Sequence, residues 1–184
     1  MGIWCRSVVQ EKETTKENRV GGIVTMWDTE KFFLSQCVIG KGYIITKGRW
    51  KYWDETITVV NVYSPCVFSE KYNLWEELIT RKRAYGNRYW CVFDDFNVIR
   101  KYRERRGTNQ IVRRGRQIIM ELSDIPMIGR NFTWFSINGN AISKIERVMI
   151  SSKWLERWPK SKQYIVDRTV SDHYAIILKH KDCY

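Results

Sequence analysis

A chain of 184 residues is one domain's worth, and 43% hydrophobic residues with nine Trp and ten Tyr can build a real core, which excludes a disordered chain. Lys plus Arg number 32 against 20 acids, a net charge of +12 that favours polyanion partners, although it also serves simple solubility. Cys5, Cys37, Cys66, Cys91 and Cys183 are odd in number with no C-x-x-C pair, so a disulfide framework or zinc site is not expected; without an apolar run of about 20 residues or a signal-peptide pattern, no membrane partner is expected and the setting reads as nuclear or cytoplasmic.

In chain order, residues 1–20 are a poorly matched N-terminal segment, polar and charged from Glu11 to Arg19 and read as loosely held; residues 21–184 form the domain. Apolar runs predict strands at Ile23–Trp27, Phe32–Ile39, Tyr43–Lys47 and Thr56–Tyr63. A helix is predicted over Glu70–Tyr85, with Ser69 as N-cap, Tyr72, Trp75, Leu78 and Ile79 on one face, and Gly86 as the C-terminal cap. A strand over Tyr89–Phe93 follows, then a shorter helix over Arg116–Leu122 and a strand over Phe132–Phe135. Asn138-Gly139 is a tight turn leading to a strand over Lys144–Ile150. A helix over Ser152–Trp158 stops before Pro159, and Tyr174–Leu178 is the last strand. Several strands are nearly continuous apolar runs, as expected where both faces are covered.

Phe93-Asp94-Asp95-Phe96-Asn97 lies where an apolar run meets a basic stretch, which places carboxylates and an amide at the carboxyl end of a strand. Open α/β sheets keep ligands there. Carboxylate with carboxamide suits a divalent-metal phosphoesterase that must position water beside a crowded phosphate, although Asp and Asn also make turns after strands. Three more segments accompany it: Asn61-Val62-Tyr63-Ser64-Pro65, Ser143-Lys144-Ile145-Glu146-Arg147, and Ser171-Asp172-His173.

In this order the four segments resemble the endonuclease/exonuclease/phosphatase superfamily. The closest likeness is to the endonuclease domain of plant LINE-type retrotransposons, where the same stations read N-V-Y-S-P, G-D-F-N, S-R-L-D-R and S-D-H. Lesser words agree: Gly21-Gly22-Ile23 with Trp27-Asp28, Glu104-Arg105-Arg106-Gly107, and Gly129-Arg130-Asn131-Phe132-Thr133-Trp134. The resemblance runs from about Gly21 to Leu178 and implies an α/β (α+β) fold, a two-sheet α/β sandwich. It also implies Mg²⁺ as cofactor and DNA as partner. Under it Asp95 orients and deprotonates the water, and Asn97 donates to the phosphate or holds the metal-site geometry. His173 touches the scissile phosphate with Glu146 behind it. Asp172 matches a metal-proximal carboxylate, and Tyr63 a tyrosine that contacts phosphate or leaving group; core packing at a strand end is the other reading of Tyr63. Arg105 and Arg106 are groove candidates within the basic-aromatic stretches Arg100–Arg106 and Arg113–Arg116, which also read as a solvated face. Trp134 is read as core rather than as a stacking platform.

The pattern also breaks. No N-x-R-G strand opens the chain, and Gln10-Glu11-Lys12-Glu13-Thr14-Thr15-Lys16 is a disturbed Q-E-T-K, so Glu11 is not assigned as a metal ligand. Asp94 stands where the family has Gly, and Glu146 where it has Asp. A ~1 Å displacement of a catalytic group can cost about a hundredfold in rate. A truncated, degenerate copy with incomplete N-terminal strands explains these together. The expected function is an endonuclease-like, Mg²⁺-dependent phosphodiester hydrolase remnant from a retroelement with impaired catalysis. The alternatives are a non-catalytic basic nucleic-acid-binding relic and a phosphatase on the same fold.

The charge predicts duplex-DNA affinity that falls steeply between about 50 and 200 mM salt, because Lys and Arg release condensed counterions on contact. Fluorescence anisotropy with a labelled duplex measures it, and an affinity that does not move with salt removes the charge argument.

Overall fold

The computed structural model describes residues 9–14, 20–86, 88–107, 121–166 and 171–180. Strands β1 (Val9–Thr14) and β2 (Val20–Thr25) form an antiparallel hairpin. An antiparallel meander follows: β3 (Phe32–Gly40), β4 (Tyr43–Trp50) and β5 (Glu55–Tyr63). Helix α1 (Phe68–Tyr85) crosses over to β6 (Tyr89–Asp95), which runs parallel to β5. A 3-10 turn at Tyr102–Glu104 leads into β7 (Arg105–Arg106). Then come β8 (Leu122–Asp124), β9 (Met127–Ile128), β10 (Trp134–Phe135) and β11 (Ile142–Ser143). Strand β12 (Glu146–Ser151), helix α2 (Ser152–Arg157), β13 (Lys162–Val166) and β14 (Ala175–Lys179) complete the order.

The main sheet has the order β3-β4-β5-β6-β12-β8, with smaller sheets β14-β13-β9 and β10-β11-β7 beside it. Its central strands β5, β6 and β12 are buried on both faces, whereas the edge strand β3 is largely exposed. Val60, Val62 and Val92 point to α1 and meet Leu74, Trp75 and Leu78. One residue along, Ile57, Val59, Cys91 and Val148 point the other way, toward Trp154, Trp158 and the β14 residues Ile176 and Leu178. This two-layer α/β sandwich agrees with the fold class expected from the sequence.

Several local expectations need correction. Of the segment from Glu11 to Arg19, read as loosely held, Glu11–Thr14 pair residue for residue with β2, and residues 15–19 lie outside the described residues. Helix α1 begins before Ser69; its N-cap is Val67, with no side-chain cap hydrogen bond. Its buried stripe is Lys71, Leu74, Trp75, Leu78 and Ile79, while Tyr72 is 45% exposed. The expected C-terminal cap is present, with Gly86 at φ 53°. Where a helix was expected to end at Leu122, Glu121 has φ 52° and Leu122–Asp124 is a strand; residues 116–120 of that helix, like Arg113–Arg116, lie outside the described residues. The strand read over Lys144–Ile150 begins two residues later, at Glu146, where β12 opens in the main sheet; Ser143 before it belongs to a small sheet. The hydroxyl of Thr133 holds the break, accepting from the amides of Ile145 at 3.0 Å and Glu146 at 3.2 Å. Asn138-Gly139 therefore turns the chain from β10 to β11, one strand short of Glu146.

Beside Glu146, Arg147 is fully buried and pairs with Glu104 at 2.6 Å and Asp124 at 2.9 Å. Glu104 also accepts from the amides of Arg100 and Lys101 at the head of the 3-10 turn. Burial pushes its carboxyl up, but the Arg147 guanidinium and those amides outweigh it and draw it down to about 2. Arg147→Ala leaves two carboxylates partly buried without their cation and is expected to destabilise by about 3–5 kcal/mol. The triple replacement Arg147→Met, Glu104→Leu, Asp124→Leu removes the charges together and is expected to recover most of that loss. Urea unfolding with an unchanged m-value measures both; a single variant as stable as the parent refutes the account.

Candidate functional site

Three central strands place the candidate residues. In the ladder Tyr63 of β5 stands opposite Asp95 of β6, and Asp95 opposite Glu146 of β12. Directly opposed residues point to the same face of a sheet, so these side chains share one face at one level. Asp95 and Glu146 are both buried. Tyr63 is 44% exposed, which removes core packing as its role. Its amide donates to the carbonyl of Gly42 at 3.0 Å. Gly42 has φ 79°, and a Cβ there would lie 2.8 Å from the Tyr63 carbonyl, so glycine lets the β3–β4 turn approach the end of β5.

The turn after β6 is built by Asn97, which adopts φ 47°, a left-handed conformation that Asn tolerates better than other side chains. Its amide donates to Asp95 Oδ1 at 2.7 Å, and its Nδ2 donates to the Ser64 carbonyl at 2.7 Å. Asn97 thus ties the ends of β5 and β6 together. Of the two roles expected for it, holding geometry is the one its bonds perform. Lys71, buried in α1, reaches under this turn and donates to the Asn97 carbonyl at 2.7 Å. The sequence reading missed Lys71. Its signal was its position in the 71-74-75-78 stripe, where a lysine among apolar residues marks a buried partner.

His173 arrives from a different layer. It bridges to Trp134, and the neighbouring amides lock that contact: Tyr174 to the Thr133 carbonyl at 2.7 Å, Phe135 to the Asp172 carbonyl at 3.1 Å. Its Nδ1 pairs with Glu146 Oε1. The extra methylene of Glu146 therefore does not prevent it from reaching the imidazole. The hydrogen bond that His173 donates to the Glu146 carboxylate raises the histidine above its usual 6.5, with burial opposing. Ligand atoms of Asp95, Glu146 and His173 lie within 4.8 Å of one another. Asp172 is more exposed; it accepts from the Trp134 indole N–H at 3.1 Å and lies 3.9 Å from His173 Nε2. Trp134 is partly exposed, and orients Asp172 rather than filling the core.

Asp94 sits inside continuous pairing, opposite Val62 on one side and Arg147 on the other. Regular strand backbone does not need glycine, so a Cβ at this position is tolerated. Arg105 donates to Ser143 Oγ at 3.0 Å, and Arg106 lies over the Phe132 ring at 5.3 Å. Both sit on β7 in the small sheet that carries Trp134, next to the site rather than in it. Of Glu11 only the strand position, opposite Ile23, is described.

The donors fit a divalent cation. Asp95 and Glu146 supply carboxylate oxygens, and Oε2 of Glu146 is buried with no hydrogen-bond partner. For Mg²⁺, which takes oxygen ligands in near-octahedral geometry, the set among the described residues is short, since the third member is an imidazole whose Nδ1 is taken by Glu146.

No protein-family model matches the chain, and no curated protein matches it. Solved structures do. The endonuclease domain of TRAS1, a telomere-specific non-LTR retrotransposon, is 17% identical with a TM-score of 0.65, covering 96% of this chain and 81% of its own. The endonuclease/exonuclease/phosphatase from Bacteroides vulgatus is 16% identical with a TM-score of 0.58, covering 95% of this chain and 77% of its own. The 3′ phosphatase NExo from Neisseria, bound to product DNA hairpin, is 13% identical with a TM-score of 0.58, covering 95% of this chain and 79% of its own. At these identities the likeness is one of fold: the chain has the endonuclease/exonuclease/phosphatase architecture.

Burial raises the Asp95 carboxyl to about 6; the Asn97 amide opposes this and the Glu146 carboxylate adds to it. A raised acid favours folding while protonated. That contribution is complete below the unfolded value near 3.8 and is lost as pH rises through about 6. The raised His173 gives a separate decline, only above 6.5. Asp95→Asn keeps the acceptor for Asn97 and is expected to remove the decline between pH 4 and 6, stabilising the metal-free protein at neutral pH by about 1–3 kcal/mol. Urea unfolding of both proteins across that range measures it; parallel pH profiles would refute the burial argument.

Proposed function

We propose that this chain is a divalent-metal phosphodiester hydrolase that nicks DNA, of the kind carried by LINE-type retroelements, working with reduced efficiency. The observation that carries the reading is the contact of Asp95, Glu146 and His173 on one face at the strand ends. Phosphodiester hydrolysis needs an activated water, neutralised phosphate oxygens and help for the leaving oxygen. Asp95, raised to about 6, is a proton acceptor matched to neutral pH and takes the proton of the attacking water. Glu146 on Nδ1 fixes the tautomer of His173, so Nε2 faces the substrate and donates to a phosphate oxygen. Tyr63, exposed at the same level, donates its phenol to phosphate or leaving group. Asn97 and Lys71 hold Asp95 in place from below. Asp95, Glu146 and Asp172 would hold the Mg²⁺, which when bound supplies positive charge to the phosphate oxygens. The +12 charge, with Arg105 and Arg106 beside the site, favours a nucleic acid over a small phosphate ester.

Reduced efficiency follows from the short set of oxygen ligands among the described residues. The non-catalytic relic is the competing reading, and the same short set favours it. Relaxation of supercoiled plasmid decides between them. The native chain is expected to nick slowly, only with Mg²⁺, and His173→Ala to lower the rate by roughly 10²-fold or more. Nicking that survives both EDTA and His173→Ala sinks the mechanism, and complete inactivity at saturating Mg²⁺ gives the relic reading.

A further inference from the structure

On the same face of the main sheet as the Asp95 cluster, further along the strands, the second layer leaves open space. A cavity of about 400 Å³ lies between the main sheet, β2 and β14. Its wall includes Trp27, Trp50, Val59, Cys91, Ile176 and Leu178, and no charged side chain among the described residues lines it. A dry, enclosed apolar void this large would cost about as much stability as a small domain holds in reserve. The volume is in the range of small-molecule sites, which are mostly apolar with a few polar groups that fix orientation.

One such group is present. Asn61, 5% exposed, lines the cavity. Its Nδ2 is committed to the Val24 carbonyl at 3.1 Å and to Thr25 Oγ1 at 3.2 Å. Those bonds fix the orientation of the amide, yet Oδ1 has no hydrogen-bond partner. A buried carbonyl oxygen without a donor is costly and is met by a water or a ligand. With no charge among the described lining residues, the wall offers no counter-charge to a phosphate or nucleotide. Burial pushes the Cys91 thiol up to about 12, so the wall offers no thiolate for covalent capture.

We infer that the cavity between the sheets is a binding site for an uncharged aromatic or aliphatic molecule bearing one hydrogen-bond donor, which it presents to Asn61 Oδ1. This site is separate from the Asp95 cluster and does not depend on the reading of that cluster. The probes are 1-naphthol and 1-methoxynaphthalene, of similar size, of which only the first has a donor. Calorimetry on the full chain is expected to show one site for 1-naphthol, with about tenfold tighter binding than for the ether, the worth of one buried hydrogen bond. Val59→Phe and Cys91→Phe each place a ring in the void. Each is expected to weaken 1-naphthol at least tenfold without lowering the melting temperature. Equal affinity for the two probes overturns the role of Asn61. Binding unchanged by both ring substitutions places the probe elsewhere and overturns the site. Absence of binding by either probe to the native chain also overturns it, and a fall in melting temperature on filling would identify the chain itself as the occupant. The probe comparison on the native chain stands even if a filled variant does not fold.

Discussion

Tyr63, Asp95 and Glu146 stand side by side because β5, β6 and β12 are in register at those residues. A slip of one residue in either pairing would turn a carboxylate to the α1 face, among Leu74, Trp75 and Phe96. The register is fixed from both sides. Val60, Val62 and Val92 must face the helix, while Ile57, Val59 and Cys91 must face the second layer. Burial on both faces penalises a slip twice. The hydrophobic pattern of the strands, rather than any bond within the site, therefore sets the distance between the acids.

A second constraint is that His173 comes from outside this sheet. Its position depends on the Trp134 bridge and on Thr133, whose hydroxyl holds the chain where it passes from the small sheet into β12. One residue thus links the strand that carries Glu146 to the segment that carries its histidine partner. Arg147 acts on the same strand from the opposite face, clamping Glu104 and Asp124. A buried ion pair is weak evidence for stability but strong evidence for a fixed arrangement when its removal leaves charges stranded. Here it fixes the strand beside the site and the turn that leads to Arg105 and Arg106.

Much of this was legible in the sequence, for identifiable reasons. The long strands and α1 announce themselves by period and length, and Gly86 marks the helix end. Asp95, Asn97, Glu146 and His173 were legible because each lies in a short word at a strand end, and order along the chain carries information even without coordinates. The short strands β7 to β11 were not, since two or three residues set no period and their pairing is decided by distant partners. Tyr72 was misplaced because a tyrosine counts as apolar in a moment argument while a buried lysine does not; Lys71 occupies the stripe because the Asn97 carbonyl receives its ammonium. The hairpin of β1 with β2 was missed because its charged residues match no buried strand pattern.

The departures from the resembled pattern do not weigh equally once placed in the fold. Glu for Asp at position 146 is absorbed: the longer side chain reaches Nδ1 of His173. Asp for Gly at position 94 is absorbed by the backbone, because that residue is in regular ladder pairing. What is not absorbed is charge. Burial holds the Asp95 carboxyl near 6, and Oε2 of Glu146 has no hydrogen-bond partner. Under the proposed function, a polyanionic substrate would meet these acids before compensating charge; the basic excess elsewhere would bring it near, and a cation at the acids would lower the barrier for a phosphate to enter. The fold thus brings Asp95, Glu146 and His173 together and leaves local charge balance as the quantity that would limit the proposed hydrolysis.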